Sequence, residues 1–208
     1  MVIFLEENHA RLHHMKIVMA TPLYPPDIAE PAPYTKHLAE MLSGEEAVTV
    51  VTYGRLPEPV HGVRIVAVDK RSPLPMRLVR YFFALLFATR QADILYAQNG
   101  ASVELPAGIV SLLTRTPLIL STYDDVAMKR ANESGLLGMM FRFAAKRAHV
   151  VIWSEVKEGE HAHTLVQPHP RPEILPFRQH NETAEKEYTA SWEKHVAALM
   201  EIFEHAAR

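Results

Sequence analysis

The sequence contains no cysteine among its 208 residues. This absence excludes disulfide bonds and thiolate metal sites, and it is compatible with the reducing cytoplasm in which we expect the protein to be located. No stretch reaches the roughly 20 consecutive apolar residues that a membrane-spanning helix needs. The formal net charge of −2 gives no reason to expect a nucleic-acid partner.

Several motifs that hold cofactors or catalytic groups are also missing. No Gly-x-Gly-x-x-Gly follows the first predicted strand, so the dinucleotide-binding fingerprint is absent, as are the P-loop and Gly-x-Ser-x-Gly patterns. Four histidines lie in the C-terminal third of the chain, but no third-ligand pattern accompanies them. We therefore expect neither a metal site nor a cofactor. These histidines are His161, His163, His169 and His180.

The sequence does contain an alternation of short apolar runs with longer amphipathic ones, which is typical of βαβ units. It predicts an α/β fold with a single Rossmann-like domain, in which helices flank a mostly parallel sheet of about six to seven strands. The predicted strands are 16–21, 47–52, 63–68, 94–97, 118–121 and 150–154. The predicted helices are 34–42, 76–90, 103–114, 136–147 and 191–206.

The chain divides into four parts. Residues 1–14 are an N-terminal extension that we expect to be poorly ordered or to pack peripherally, and residues 15–156 are the Rossmann-like domain. Residues 157–188, rich in proline and histidine, are interpreted as a linker. Residues 189–208 form a helix with one apolar face, which we expect to dock on the α/β domain because a lone amphipathic helix is marginal in water. That face contains Trp192, Val196, Leu199, Met200 and Phe203.

Several segments, taken in order, resemble the N-terminal half of family 4 glycosyltransferases of the GT-B fold. Lys16 to Pro26 resembles the opening of that family, and Asp93 to Gly100 resembles its fourth strand. Each segment alone is a weak signal, whereas the ordered set over residues 15–156 is fairly specific. Further matching segments are 31–36, 38–40, 47–53, 105–107, 117–120 and 150–155, together with Asp125 and Ala127.

The resemblance has a consequence for domain organisation. In that family two Rossmann domains face each other, the first binding the acceptor and the second the nucleotide-sugar, and a C-terminal helix crosses back to the first domain. Ser191-Trp192-Glu193 and the residues after them resemble that crossing helix. About 35 residues separate Val156 from Ser191, far below the roughly 100 of a domain, so we expect the donor domain to be missing.

The loop after the first strand departs from the family pattern. The family has a Gly-Gly pair there, which lets backbone N–H groups approach the donor diphosphate. Ala29 and Glu30 stand at the corresponding position in this sequence. A carboxylate repels a diphosphate, and two Cβ atoms restrict the turn. We interpret Ala29 and Glu30 as the remnant of a phosphate loop.

The segment after the fifth strand holds the candidate catalytic residues. Many family members place an active-site histidine or acidic residue there, and this sequence has Tyr123, Asp124 and Asp125. Asp125 matches an aspartate of one subgroup, so the resemblance implies that it is a remnant of an acceptor or base site. The alternative is that the two aspartates cap the following helix. The family's donor-side pair of glutamates has no counterpart, because the domain that carries it is missing.

Polar residues at the carboxyl edge of the predicted sheet are candidate substrate ligands. Gln98, Asn99 and Ser102 follow the fourth strand, where ligands bind in open parallel sheets. We count Tyr34 and Tyr123 as further candidate substrate-binding residues. The alternative is ordinary loop and N-cap chemistry.

A basic aromatic helix lies within residues 76–90. Its arginines surround Tyr81, Phe82, Phe83 and Phe87. Such a helix can lie on a membrane surface, and a peripheral contact at the inner face of the membrane would suit the lipid-linked acceptors of the family. The alternative, which we favour, is that its apolar side covers the sheet.

Three functions remain open. The first is a glycosyltransferase-like protein that retains the acceptor-binding half, binds a glycan or lipid-linked acceptor, and is inactive without a donor-binding partner. The second is a non-catalytic binding or scaffold protein derived from a glycosyltransferase. The third, a self-sufficient enzyme, is the least compatible with a fold whose catalysis uses groups from both sides of a cleft. Apolar surface left around the old cleft predicts a partner protein or a homodimer.

Overall fold

The computed structural model describes residues 14–29, 31–98, 100–122, 135–153, 162–164 and 182–208. Its strands are β1 (Lys16–Ala20), β2 (Ala47–Tyr53), β3 (Arg64–Val68), β4 (Ile94–Gln98), β5 (Leu118–Thr122), β6 (Val150–Trp153) and β7 (Ala162–Thr164). They form one sheet in the order β3-β2-β1-β4-β5-β6-β7, and every adjacent pair is parallel. The predicted α/β fold class is confirmed.

The strands are apolar because helices cover both faces of the sheet. All five residues of β4 and all five of β5 are buried. Strands buried on two sides read as continuous apolar runs rather than as alternating ones, which is why the sequence showed them clearly. The helices are α1 (Ala32–Leu42), α2 (Leu74–Thr89), α3 (Ala101–Thr114), α4 (Leu136–Arg147) and α5 (Glu182–Ala207).

The two faces of the sheet carry separate halves of the core. On one face α1 and α5 pack against side chains such as Met19 and Ile94. On the other face α2, α3 and α4 pack against side chains such as Val18 and Leu95. Successive side chains of a strand point to opposite faces, so neighbours in β1 and β4 enter different halves of the core.

The C-terminal helix α5 docks on the sheet, as its apolar stripe predicted. Trp192 and Phe203 are fully buried, and their ring centroids lie 5.5 Å from Tyr34 on α1 and 5.7 Å from Tyr96 on β4, respectively. The helix begins at Glu182, inside the range that was interpreted as a linker. Its first turns are rich in Glu, Ala and Lys, which favour helix but give no apolar periodicity, so the pattern showed only the docked part. Strand β7 also lies within the 157–188 range.

Helix α2 covers the sheet with one side, in agreement with the interpretation favoured above. Tyr81, Leu85 and Thr89 are its buried residues. They recur every four residues and form a single stripe. Across the described ranges, no helix combines the length and apolar character that a bilayer span requires.

Candidate functional site

The strand order reverses between β1 and β4, and their carboxyl ends lead into different elements. The chain leaves β1 towards α1 on one face and leaves β4 towards α3 on the other. Open α/β sheets bind ligands in the crevice at such a switch point. The two departing segments touch here, since a Cβ on Gly100 would lie 3.1 Å from Pro22 Cγ. This edge is the candidate site.

A buried polar cluster lies directly beneath this edge. The Gln98 side-chain amide, at the end of β4, lies 2.7 Å from Thr21 Oγ1 and 2.7 Å from Thr35 Oγ1. The same hydroxyls lie 2.7 Å from the Leu23 carbonyl and 2.8 Å from the Pro31 carbonyl, respectively. The cluster therefore ties together the end of β1, the first turn of α1 and the end of β4.

The Gln98 amide has partners on more than one side. Its Oε1 accepts hydrogen bonds from the hydroxyls of Thr21 and Thr35, each of which also has a backbone carbonyl in reach. Its side chain also forms a hydrogen bond with Tyr96. The polar groups of Gln98 are therefore used inside the fold.

Tyr34, a candidate ligand, lies in a second buried chain of polar groups. Its hydroxyl is 2.8 Å from His195 Nε2 on α5 and 3.3 Å from the Tyr96 hydroxyl on β4. Tyr34 is fully buried and His195 is 4% exposed. Burial raises the pKa of Tyr96, and hydrogen bonds with Ser121, Tyr34 and Gln98 oppose that shift. Tyr34 therefore connects α1, β4 and the crossing helix α5.

An aromatic and cationic group lies on the other side of the same edge. The Tyr53 ring stacks on Tyr81 at 4.3 Å, and the Arg77 guanidinium lies 5.6 Å from the Tyr53 ring centroid. The Tyr53 hydroxyl donates to the Ser102 carbonyl at 3.0 Å. Burial raises the pKa of Tyr53 to about 12, although the Ser102 side chain and the Arg77 charge act in the opposite direction. The half-buried Ser102 thus meets this group through its carbonyl and its side chain.

Glu104 is a functional candidate that sequence reasoning missed. It is fully buried, and its Oε1 accepts a hydrogen bond from the Gly100 N–H at 2.8 Å. The carboxylate lies in the first turn of α3, where the helix dipole stabilises negative charge. The available signal was a glutamate four residues after Gly100 at a predicted helix start. That spacing resembles a helix cap, so it did not distinguish a buried carboxylate from an exposed one.

Of the remaining candidate residues, the structure describes Ala29 and leaves most of the others outside its described ranges. Ala29 is exposed, and its carbonyl accepts the Ala32 N–H at 2.9 Å as α1 begins. No group of three metal-ligating side chains occurs in the part of the chain that the structure describes. The other candidates lie outside the described residues: Glu30, Asn99, Tyr123, Asp124, Asp125, His161, His169 and His180.

Together, the strand order and the edge at the switch point define a Rossmann-like α/β domain. The Anabaena protein HepE in complex with UDP-glucose is similar with a TM-score of 0.53 and 16% identity. The match covers 75% of this chain and 44% of HepE, so the chain spans less than half of that protein. At this identity the likeness shows the fold.

Two further solved structures match less well. A Listeria monocytogenes protein assigned as a UDP-N-acetylglucosamine 2-epimerase has a TM-score of 0.48 at 12% identity, covering 67% of this chain and 39% of that one. The C-terminal domain of the coenzyme A biosynthesis bifunctional protein CoaBC has a TM-score of 0.44 at 13% identity, covering 68% and 78%. No protein-family model and no curated protein matches the sequence.

Proposed function

We propose that the protein is the acceptor-binding half of a family 4-like glycosyltransferase and transfers sugar only together with a donor-binding partner. The observation that carries this proposal is the fold similarity to HepE, whose structure contains UDP-glucose. The ordered segments that resemble family 4, such as Lys16 to Pro26 and Asp93 to Gly100, support the same assignment. The acceptor would be a glycan or a lipid-linked sugar.

The need for a partner follows from the size of the chain between β6 and α5. Residues 154–181 separate these elements, far fewer than the roughly 100 that a donor domain needs. Sugar transfer in this fold uses groups held on both sides of a cleft. The groups of one side alone therefore do not position both the donor and the acceptor. Ala29 and Glu30, in place of the family's glycine pair, also weaken any diphosphate site on this side.

The acceptor would bind at the carboxyl edge of β4 and β5. These strands are parallel neighbours, so the segments that follow them leave the sheet at the same edge. Asp125 and Asp124 follow β5, and Asn99 and Ser102 follow β4. We propose Asp125 as the base that accepts the acceptor's proton, with Asp124 and Tyr123 beside it.

A transfer assay tests the proposal. The purified full chain, titrated with UDP-, GDP- and ADP-sugars by calorimetry, is expected to show no saturable binding. The chain copurified with its native partner is expected to transfer sugar from one of these donors. Tight donor binding and transfer by the isolated chain would contradict the partner requirement.

A pair of variants separates catalysis from helix capping at Asp125. Under the proposal, Asp125→Asn lowers the transfer rate of the partnered protein by about 100-fold, because an amide cannot accept the proton. If the aspartate only caps a helix, the same variant keeps its rate and lowers stability by about 1 kcal/mol or less. Asp93→Asn, at the opposite edge of the sheet, is the matched control and should keep the transfer rate.

The second candidate function is a non-catalytic binding or scaffold protein. The observation that favours it is the internal use of two candidate ligands, since Gln98 and Tyr34 are both buried within hydrogen-bonded clusters. A complex with the native partner that binds an acceptor but transfers no sugar, whichever donor is supplied, would support this function over the first.

A further inference from the structure

Exposed apolar side chains are concentrated on one side of the molecule. Among the described residues, thirteen large apolar side chains are exposed, and eleven of them lie on α2, α3 and α4. None lies on α1 or α5, which cover the opposite face of the sheet. Scattered exposed apolar residues are ordinary, whereas a continuous group marks an interaction surface.

Helix α2 shows the feature most clearly. Tyr81, Leu85 and Thr89 face the core, whereas Phe83 and Phe87 are 48% and 63% exposed. With 3.6 residues per turn, the positions 76, 79, 83 and 87 form one stripe on the side opposite the buried one. The rings of Phe83 and Phe87 lie 6.3 Å apart. The helix is therefore apolar on two sides, and one side contacts the sheet.

The stripe continues across the neighbouring helices. Helix α3 packs between α2 and α4, and its exposed residues Leu112 and Leu113 are apolar. Helices α3 and α4 approach closely at Gly108, where a Cβ would lie 2.9 Å from Phe143 Cε1. Phe143 and Met139 are exposed on α4. We call this surface the outer helical face and represent it by Met76, Val79, Phe83, Phe87, Met139 and Phe143.

The exposed charges that the described helices α2 and α4 carry have one sign. Neither α2 nor α4 contains an aspartate or a glutamate. The single carboxylate of α3, Glu104, is fully buried. The exposed charged residues of α2 and α4 and the residue that ends α2 are all cationic, namely Arg80, Arg90, Arg142 and Lys146. By contrast, α5 on the opposite side carries more glutamates than lysines.

We propose that the outer helical face binds the surface of an anionic lipid bilayer. Phe83 and Phe87 would enter the boundary between headgroups and acyl chains, and the surrounding arginines and lysine would contact lipid phosphates. Apolar residues ringed by cations suit this environment, because long basic side chains keep their charge at the phosphate level while their stems lie along apolar surface. The inference does not depend on the proposed sugar transfer.

The positive charge of the outer helical face favours a lipid surface over a second copy of the chain as its occupant. A two-fold dimer through the outer helical face would place two surfaces that carry the same positive charges against each other. Like charges facing each other oppose such an interface, whereas anionic headgroups neutralise them. The same charge pattern disfavours a basic protein partner.

Vesicle binding tests the proposal with the full chain. Sedimentation compares vesicles of phosphatidylcholine alone with vesicles that also contain about 30% phosphatidylglycerol. Binding is expected only to the anionic vesicles, and raising the salt concentration to about 0.5 M should release much of the protein. Equal binding to both vesicle types, or binding to neither, would overturn the proposal.

Two matched variant pairs locate the contact. Phe83→Ser combined with Phe87→Ser should lower the partition coefficient at least tenfold, whereas Ile28→Ser, an exposed apolar residue outside this face, should not change it. Arg142→Glu should weaken binding, and Lys186→Glu on the exposed side of α5 should not. Circular dichroism confirms that each variant is folded. If the phenylalanine variant instead converts a dimer to a monomer without changing vesicle binding, the face is a self-association surface and the lipid proposal is wrong.

Discussion

At the scale of single residues, the most informative side chain is Gln98. Its position at the end of β4 is where ligands bind in this fold, yet its amide is spent on Thr21 and Thr35 inside the protein. A buried amide oxygen that accepts hydrogen bonds from two hydroxyls holds three elements in register. Gln98 therefore stabilises the edge of the sheet that carries the candidate site. The acceptor ligands of our proposal come from the segments that follow β4 and β5.

Replacing Gln98 tests this structural role. Gln98→Leu should lower the free energy of unfolding by about 1–3 kcal/mol, because the hydroxyls of Thr21 and Thr35 lose a buried hydrogen-bond acceptor. Urea denaturation measures the change. Ser102→Ala, at the same edge, should cost less, about 0.5 kcal/mol, since the Tyr53 hydroxyl keeps the Ser102 carbonyl as its acceptor. A Gln98→Leu protein of unchanged stability would contradict the structural role of Gln98.

Two buried tyrosines should respond oppositely to loss of the hydroxyl. Tyr34→Phe should destabilise the protein by about 1–2 kcal/mol, because it removes the hydrogen bond to His195. Tyr24→Phe should be neutral or stabilising, since the buried Tyr24 hydroxyl has no hydrogen-bond partner within the described ranges. Thermal unfolding of both variants under the same conditions makes the comparison. Equal losses would show that the Tyr34–His195 bond contributes nothing specific.

At the scale of elements, α5 completes one face of the sheet. Its buried residues Trp192 and Phe203 pack against side chains of α1 and β4 and exclude water from them. Together with the Tyr34–His195 bond, they join the C-terminal end of the chain to its first helix. Residues that are remote in the sequence thus meet in one half of the core.

Truncation of Trp192 measures how much this docking contributes. Trp192→Ala should lower the free energy of unfolding by about 3–5 kcal/mol, the usual effect of removing a large buried aromatic side chain. Lys194→Ala, exposed on the same helix, should change it by less than about 0.5 kcal/mol. A Trp192→Ala protein as stable as the parent would mean that α5 is not docked in solution.

At the scale of the whole molecule, the two faces of the sheet have different surfaces. Helices α1 and α5 carry no exposed large apolar side chain among those described, whereas α2, α3 and α4 carry eleven. The carboxyl edge between them carries the candidate acceptor site. These three surfaces would allow the protein to contact lipid, an acceptor and a donor-binding partner at separate places.

Alkaline pH should destabilise the whole fold through its buried tyrosines. The pKa of Tyr53 is raised from 10.0 to about 12 by burial, and burial also raises the pKa values of Tyr81 and Tyr96. Above pH 10 the unfolded chain loses phenolic protons that the folded chain keeps. Stability is therefore fully present below pH 10 and falls as pH rises towards the folded-state pKa values. Urea denaturation at pH values from about 8 to about 11.5 measures the decrease in the free energy of unfolding. This decrease should be smaller for Tyr53→Phe.

The sequence by itself determined the element types, the single parallel sheet and the docked terminal helix. These features depend on local periodicity and on the requirement that an apolar stripe be buried, both of which can be read from the order of residues. Trp192 and Phe203 show this well, because their helical spacing predicted their burial.

The tertiary structure alone decided which polar and apolar groups face inwards. Gln98, Tyr34 and Glu104 are buried by partners distant in the sequence, and no local pattern encodes those contacts. Helix α2 is apolar on two sides, so its pattern could not say which side would meet the sheet. Packing against the sheet and α3 selected one side and left Phe83 and Phe87 exposed, because a helix in a single covering layer can bury only the side that faces its neighbours.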